Sequence, residues 1–132
     1  MRIVIDTNVL ISGLFFGGKP YKVLRAVIND EIEAAITDEI EYEYRRIVDE
    51  ALRKFKVTKA KASLENCLCK LTRIDSVSDI KICRDPDDDK FINCAIDSKA
   101  LYIVSGDKDL LTLKNVKDVD IITAAEFCDR YL

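Results

Sequence analysis

Arg2-Ile3-Val4-Ile5-Asp6-Thr7-Asn8 decides the fold. Ile3, Val4 and Ile5 form a short, continuous run of β-branched apolar residues, the pattern of a strand buried on both faces of a parallel sheet, and Asp6 stands where that strand ends. Outward from it, Gly17-Gly18 and Pro20 punctuate a loop before a helix carrying Val23, Leu24, Val27 and Ile28, and Ile32 to Ile36 reads as a second strand. Thr37 can cap a helix whose apolar stripe runs Ile40, Tyr44, Ile47, Val48, Ala51, Leu52 and Phe55, and a less regular helix follows from about Lys59 to Leu71. Thr72 to Cys83 has no readable pattern. Asp85-Pro86 opens another helix with Phe91, Ile92, Ala95 and Ile96 as its buried face, followed by the strand Leu101 to Val104. A turn at Ser105-Gly106-Asp107, a last strand from Val119 to Ile122 and the capping-box pattern Thr123-Ala124-Ala125-Glu126 complete the chain. Strands alternating with helices predict an α/β fold of three layers, α/β/α, with a central parallel sheet of four to five strands.

The 132 residues form a single expected domain, 1–132, with 48% hydrophobic and 34% charged residues and neither a linker nor a repeat. A net charge of -3 argues against gripping nucleic acid through bulk positive charge, so any such contact is local. The absence of histidine removes imidazole bases, Ser-His pairs and His-liganded zinc. Of the five cysteines, Cys67, Cys94 and Cys128 stand among apolar neighbours as small buried hydrophobes of a reducing compartment. With no apolar run of membrane length and no export signal, the expectation is a cytoplasmic protein without membrane contact.

Chemistry is left to the acids. Asp6 follows the first strand and Asp107 follows a later one, so both are expected at the carboxyl edge of the sheet, where sites form in open α/β folds. Taken singly, each could be an Asx turn or a helix cap. Glu43, three residues after Ile40 and four before Ile47, falls on the inward flank of its helix, where an acid costs several kcal/mol unless a cation compensates it. Arg46 at i+3 is the competing structural partner. In Asp85-Pro86-Asp87-Asp88-Asp89, Asp88 shares the spacing of Phe91, Ile92 and Ala95 and is expected to face inward, with Asp89 on the flank and Asp87 away. Carboxylates gathered in this way repel one another, and a hard divalent cation such as Mg²⁺ resolves the conflict with oxygen ligands. Such a site suits phosphodiester or phosphoryl chemistry. Neither a dinucleotide fingerprint nor a Walker-type loop is present.

These segments make the chain similar to the PIN-domain ribonucleases, specifically the small prokaryotic VapC-like members grouped as toxins of type II toxin–antitoxin pairs. The resemblance runs through Ile5-Asp6-Thr7-Asn8-Val9-Leu10, the Thr37-to-Tyr44 helix start, Arg84 to Phe91 continuing to Ala95, and Ile103 to Leu111. It implies a metal-dependent endoribonuclease in which Asp6, Glu43, Asp88 and Asp107 form the catalytic quartet holding Mg²⁺ or Mn²⁺. Asn8 and Ser105 match the polar residues that support such a site, Asp109 is a reserve acid, and Asp85 belongs to the same acidic run. Thr37 and Ser105 stand where Ser and Thr are more usual, and each keeps a hydroxyl. The implied reaction is hydrolysis of RNA by metal-activated water, leaving a 5′-phosphate and a 3′-hydroxyl.

Arg45 to Lys61 holds seven basic residues against two acidic ones, so Arg45, Arg46, Arg53 and Lys54 are candidates for the RNA backbone, the alternative being a solvated helix face. A small antitoxin protein and a homodimer are the partners the resemblance implies, with Leu14-Phe15-Phe16 or Tyr42 and Tyr44 as dimer contributors unless they are core. The competing readings are a non-catalytic RNA- or protein-interaction module whose acids only cap helices, and a Mg-dependent phosphomonoesterase. The latter wants a second acid two residues after the first, where this chain has Asn8.

Overall fold

A computed structural model describes residues 1–132 as a mixed α/β fold with a central, mostly parallel sheet flanked by helices. The elements in chain order are β1 (Arg2–Ile5), α1 (Thr7–Phe15), α2 (Gly18–Ile28), β2 (Glu33–Ile36), α3 (Asp38–Phe55), α4 (Lys59–Leu68), β3 (Thr72–Arg73), a 3-10 turn (Pro86–Asp88), α5 (Asp89–Ser98), β4 (Tyr102–Val104), α6 (Lys108–Leu111), β5 (Asn115–Val116), β6 (Val119–Ile122) and α7 (Ala124–Tyr131). The sheet has six strands in the order β3-β2-β1-β4-β6-β5, rather than the four to five expected. The additional strands, β3 and β5, are two residues each, too short to carry an alternation pattern, and β5 is antiparallel to β6.

β1 is central because its residues tolerate no water: Ile3, Val4 and Ile5 are all but fully buried between β2 and β4. From β1 the chain proceeds through α1 and α2 to β2 on one side, and later from β3 through α5 to β4 on the other. The strand order therefore reverses between β1 and β4, which opens a crevice beyond their carboxyl ends. α1 packs on α2, α3 and α4, α2 also packs on α7, and α5 lies against β1, β2 and β4. The buried apolar side chains form one cluster. α1 and α2 approach closely enough that a Cβ on Gly13 would lie 2.6 Å from Leu24 Cδ1.

Several local expectations hold. The Thr37 hydroxyl accepts from the Ile40 N–H at 3.2 Å to cap α3, and the Thr123–Glu126 capping box opens α7. Cys67, Cys94 and Cys128 are buried free thiols. Two helices lie outside the expected elements: α1 follows Asp6 directly and ends at Phe15, just before the glycine pair, and α6 is one turn long. Tyr44 belongs to the core rather than to an interface, its hydroxyl donating to the Ile5 carbonyl, whereas Tyr42 and Phe16 are exposed. The segment without a readable pattern is pinned by polar side chains of α5 at i, i+4 and i+8. Asp89 Oδ1 accepts from the Ile82 and Cys83 N–H groups at 3.1 and 2.8 Å, Asn93 exchanges two hydrogen bonds with the Ile80 backbone, and Asp97 accepts from the Val77 and Ser78 N–H groups.

Candidate active site

Asp6 continues the β1 ladder by one residue, its N–H donating to the Val104 carbonyl at 3.0 Å, and it is 4% exposed. It occupies the N-cap position of α1, yet its carboxylate makes no capping hydrogen bond, which removes the simplest structural explanation for it. Instead, the fully buried Ser105 donates its hydroxyl to Asp6 Oδ2 at 2.7 Å and accepts the Asp107 N–H at 3.0 Å. Ser105 thus ties the end of β1 to the turn after β4. Burial pushes the Asp6 carboxyl up to about 6, against the Ser105 hydrogen bond and with help from the charges of Asp107 and Glu43.

Asp107 caps α6, its Oδ1 accepting from the Asp109 N–H at 2.9 Å, so the capping explanation applies to one of its oxygens. Asp88 joins it from the 3-10 turn. Burial pushes the Asp88 carboxyl up to about 7, reinforced by the charges of Asp107, Asp6 and Asp85. Asp88 reaches the crevice by a different route from the one its spacing predicts. A 3-10 turn has three residues per turn instead of about 3.6, so the period counted back from Phe91 does not continue through it. The acid buried at the start of α5 is Asp89, not Asp88. Burial of Asp89 is more than offset by the Cys83 and Ile82 donors, which hold its carboxyl below the usual range. Asp85 caps the 3-10 turn through the Asp87 N–H at 3.0 Å.

Glu43 is buried as its helical position predicts, but its cation is not Arg46, which pairs with Glu50 at 3.3 Å. Lys90 Nζ lies 2.6 Å from Glu43 Oε1 and 2.8 Å from Asp87 Oδ1, and the Thr7 hydroxyl donates to the other Glu43 oxygen. Burial works against the Lys90 charge and the two carboxylates outweigh it, so its pKa is raised. Neither Thr7 nor Lys90 is among the residues expected from sequence. Lys90 directly follows four acids in five positions, and that adjacency was the available signal. Asn8 is exposed, and the hydroxyl that reaches Glu43 from this segment is that of Thr7.

The region's ion pairs are Lys90 with Glu43 and Asp87, and Arg84 with Asp109 at 3.9 Å; none includes Asp6, Asp88 or Asp107. The candidate basic residues lie elsewhere on α3. Arg45 is held by Glu41 and Glu65, and Arg53 and Lys54 are exposed about 15 Å along the helix from Glu43 at 1.5 Å per residue. A polar cavity of about 570 Å³ between the start of α3 and residues 74–83 touches Lys90 and Pro86 but none of the three unpaired aspartates.

The donor set fits a hard divalent cation by its chemistry: oxygen ligands only, with the Asp6 and Asp88 carboxyls raised by burial and further by neighbouring negative charge. As positioned, no three acidic or cysteine side chains converge tightly enough to enclose an ion. No helix is long and apolar enough to cross a membrane.

The chain is 39% identical to an uncharacterized protein of Methanocaldococcus jannaschii over 87% of this chain and 76% of the relative. Its fold is similar to a chain in the crystal structure of VapBC2 from Rickettsia felis bound to a DNA fragment from their promoter. That likeness has a TM-score of 0.62 at 16% identity and covers 92% of this chain and 97% of the other. The PIN-domain pattern matches residues 2–109, from the first residue of β1 to the acid two positions beyond Asp107. The chain therefore belongs to the PIN-domain family, whose members are nucleases that generally use divalent metal ions.

Proposed function

We infer that this protein is a Mg²⁺- or Mn²⁺-dependent endoribonuclease and the toxin half of a toxin–antitoxin pair. The observation that carries the reading is that Ser105 joins Asp6 to the Asp107 turn at the sheet's switch point, with Asp88 near enough to feel both charges and no ion-pair partner for any of the three. These three would hold the ion, which when bound polarises the phosphoryl oxygen and activates water. Ser105 orients Asp6 and braces the Asp107 backbone, so two of the three carboxylates are set in place by one buried hydroxyl. Thr7 and Lys90 hold Glu43 beside them. Exposed Arg53 and Lys54 would neutralise RNA phosphates away from the reacting bond.

The toxin assignment and a small antitoxin partner rest on the likeness to the VapBC2 structure. A homodimer would cover exposed Phe16 and Phe55, whose rings meet edge-on at 4.9 Å, and sedimentation at micromolar concentration reads it directly.

Cleavage of an end-labelled single-stranded RNA tests the enzymatic reading. The wild type should cut with Mn²⁺ and leave 5′-phosphates, and Asp6→Asn and Asp88→Asn should each lose at least about 100-fold. Cleavage that survives EDTA would overturn the reading. Turnover of a phosphomonoester with RNA untouched would favour a phosphatase.

A further inference from the structure

Glu43 differs from the three aspartates in having its charge already answered. Its side chain is 11% exposed and that of Lys90 6%, and the two are 2.6 Å apart. Thr7 occupies the other Glu43 oxygen, and Asp87 also accepts from the ammonium at 2.8 Å. A lysine removed from water to this degree is tolerated only with such complete pairing, and while paired it blocks Glu43 from a further cation. Two-ion sites place their ions about 3.5–4 Å apart and need carboxylates enough for both. Here one divalent ion leaves a single unit of negative charge on the three aspartates, whereas two ions would make the cluster positive.

We propose that Lys90 is a built-in cation standing at Glu43 where a second divalent ion would otherwise bind, so that the site holds one ion. Lys90 is thereby a positioning residue, acting through Glu43. The inference rests on the reading of Asp6, Asp88 and Asp107 as the metal ligands.

Mn²⁺ stoichiometry and affinity, read by electron paramagnetic resonance of the free ion at pH 7.5, test it. The wild type should bind one ion per chain, and Lys90→Gln should bind two. Lys90→Gln/Glu43→Gln removes both charges together and keeps the net charge, so it should fold and bind one ion within about threefold of the wild-type affinity. Two ions on the wild type, one ion on a folded Lys90→Gln, or a loss of tenfold or more in the double variant would overturn the inference and leave the metal reading standing. No saturable binding by the wild type, or binding unchanged in Asp6→Asn, would overturn the metal reading itself.

Discussion

Two groups of acids, most of them buried or half-buried, are treated in opposite ways in this molecule. Asp89 and Asp97 on α5 accept backbone N–H groups from residues 77–83, and Glu43 and Asp87 share the ammonium of Lys90. Asp6, Asp88 and Asp107 have no cation: Ser105 donates to Asp6, and the Asp109 N–H to one oxygen of Asp107. The first group stabilises the fold, because each charge is satisfied where it is buried. The second opposes it at Asp6 and Asp88, because burial, reinforced by neighbouring like charges, raises the free energy of the ionised carboxylates until a cation or a proton arrives. The contrast separates scaffold from site more sharply than the number of acids does.

Removing the cation from the satisfied group should have the largest effect. Lys90→Met leaves Glu43 buried without its partner and is expected to destabilise the protein by about 3–5 kcal/mol in urea unfolding. Asp89→Asn weakens the attachment of residues 82 and 83 and is expected to cost about 2–3 kcal/mol, with faster amide exchange at Ile82 and Cys83 than at β1.

The two groups also predict opposite responses to pH. Asp6 at about 6 and Asp88 at about 7 lie above their unfolded value, so the folded state binds more protons than the unfolded one. In EDTA their penalty is absent below about pH 4 and develops as pH rises to about 7, so stability from this pair should fall over that window. The carboxyls of Asp87, Asp89 and Asp97 are lowered, so their contribution is present above the unfolded value and lost as pH falls through the folded ones. The urea midpoint followed against pH in EDTA, with Asp6→Asn and Asp89→Asn alongside, separates the two slopes. The smallest effect is expected at the exposed Arg46–Glu50 pair, where Arg46→Ala should change stability by less than about 0.5 kcal/mol.

Much of this arrangement was legible in the sequence because it depends on strand ends and helix period. Arg2-Ile3-Val4-Ile5 announced the central strand and Asp6 its end, the spacing around Ile40 and Ile47 placed Glu43 inward, and Ser105-Gly106-Asp107 marked a turn at the same sheet edge. What escaped depends on contacts between distant segments. Lys90 meets Glu43 across 47 positions, Thr7 meets it across 36, and no local pattern encodes either pairing. The stripe Asp89, Asn93 and Asp97 has a helical period, but it faces an irregular segment whose exposed N–H groups were its partners. The spacing before Phe91 assigns the buried position to Asp88, and one 3-10 turn gives it to Asp89 instead.

Buried without a cation, Asp6 and Asp88 oppose folding on their own, and a divalent ion would answer them. Thermal melting of wild type and Asp88→Asn at pH 7.5, each in EDTA and in Mn²⁺, tests it without reference to substrate. In EDTA, Asp88→Asn should melt higher, by the equivalent of about 1–2 kcal/mol after allowance for solvent screening, and Mn²⁺ should raise the wild type while leaving the variant nearly unmoved. A variant that melts lower than wild type in EDTA, or that keeps the full Mn²⁺ response, would contradict the account.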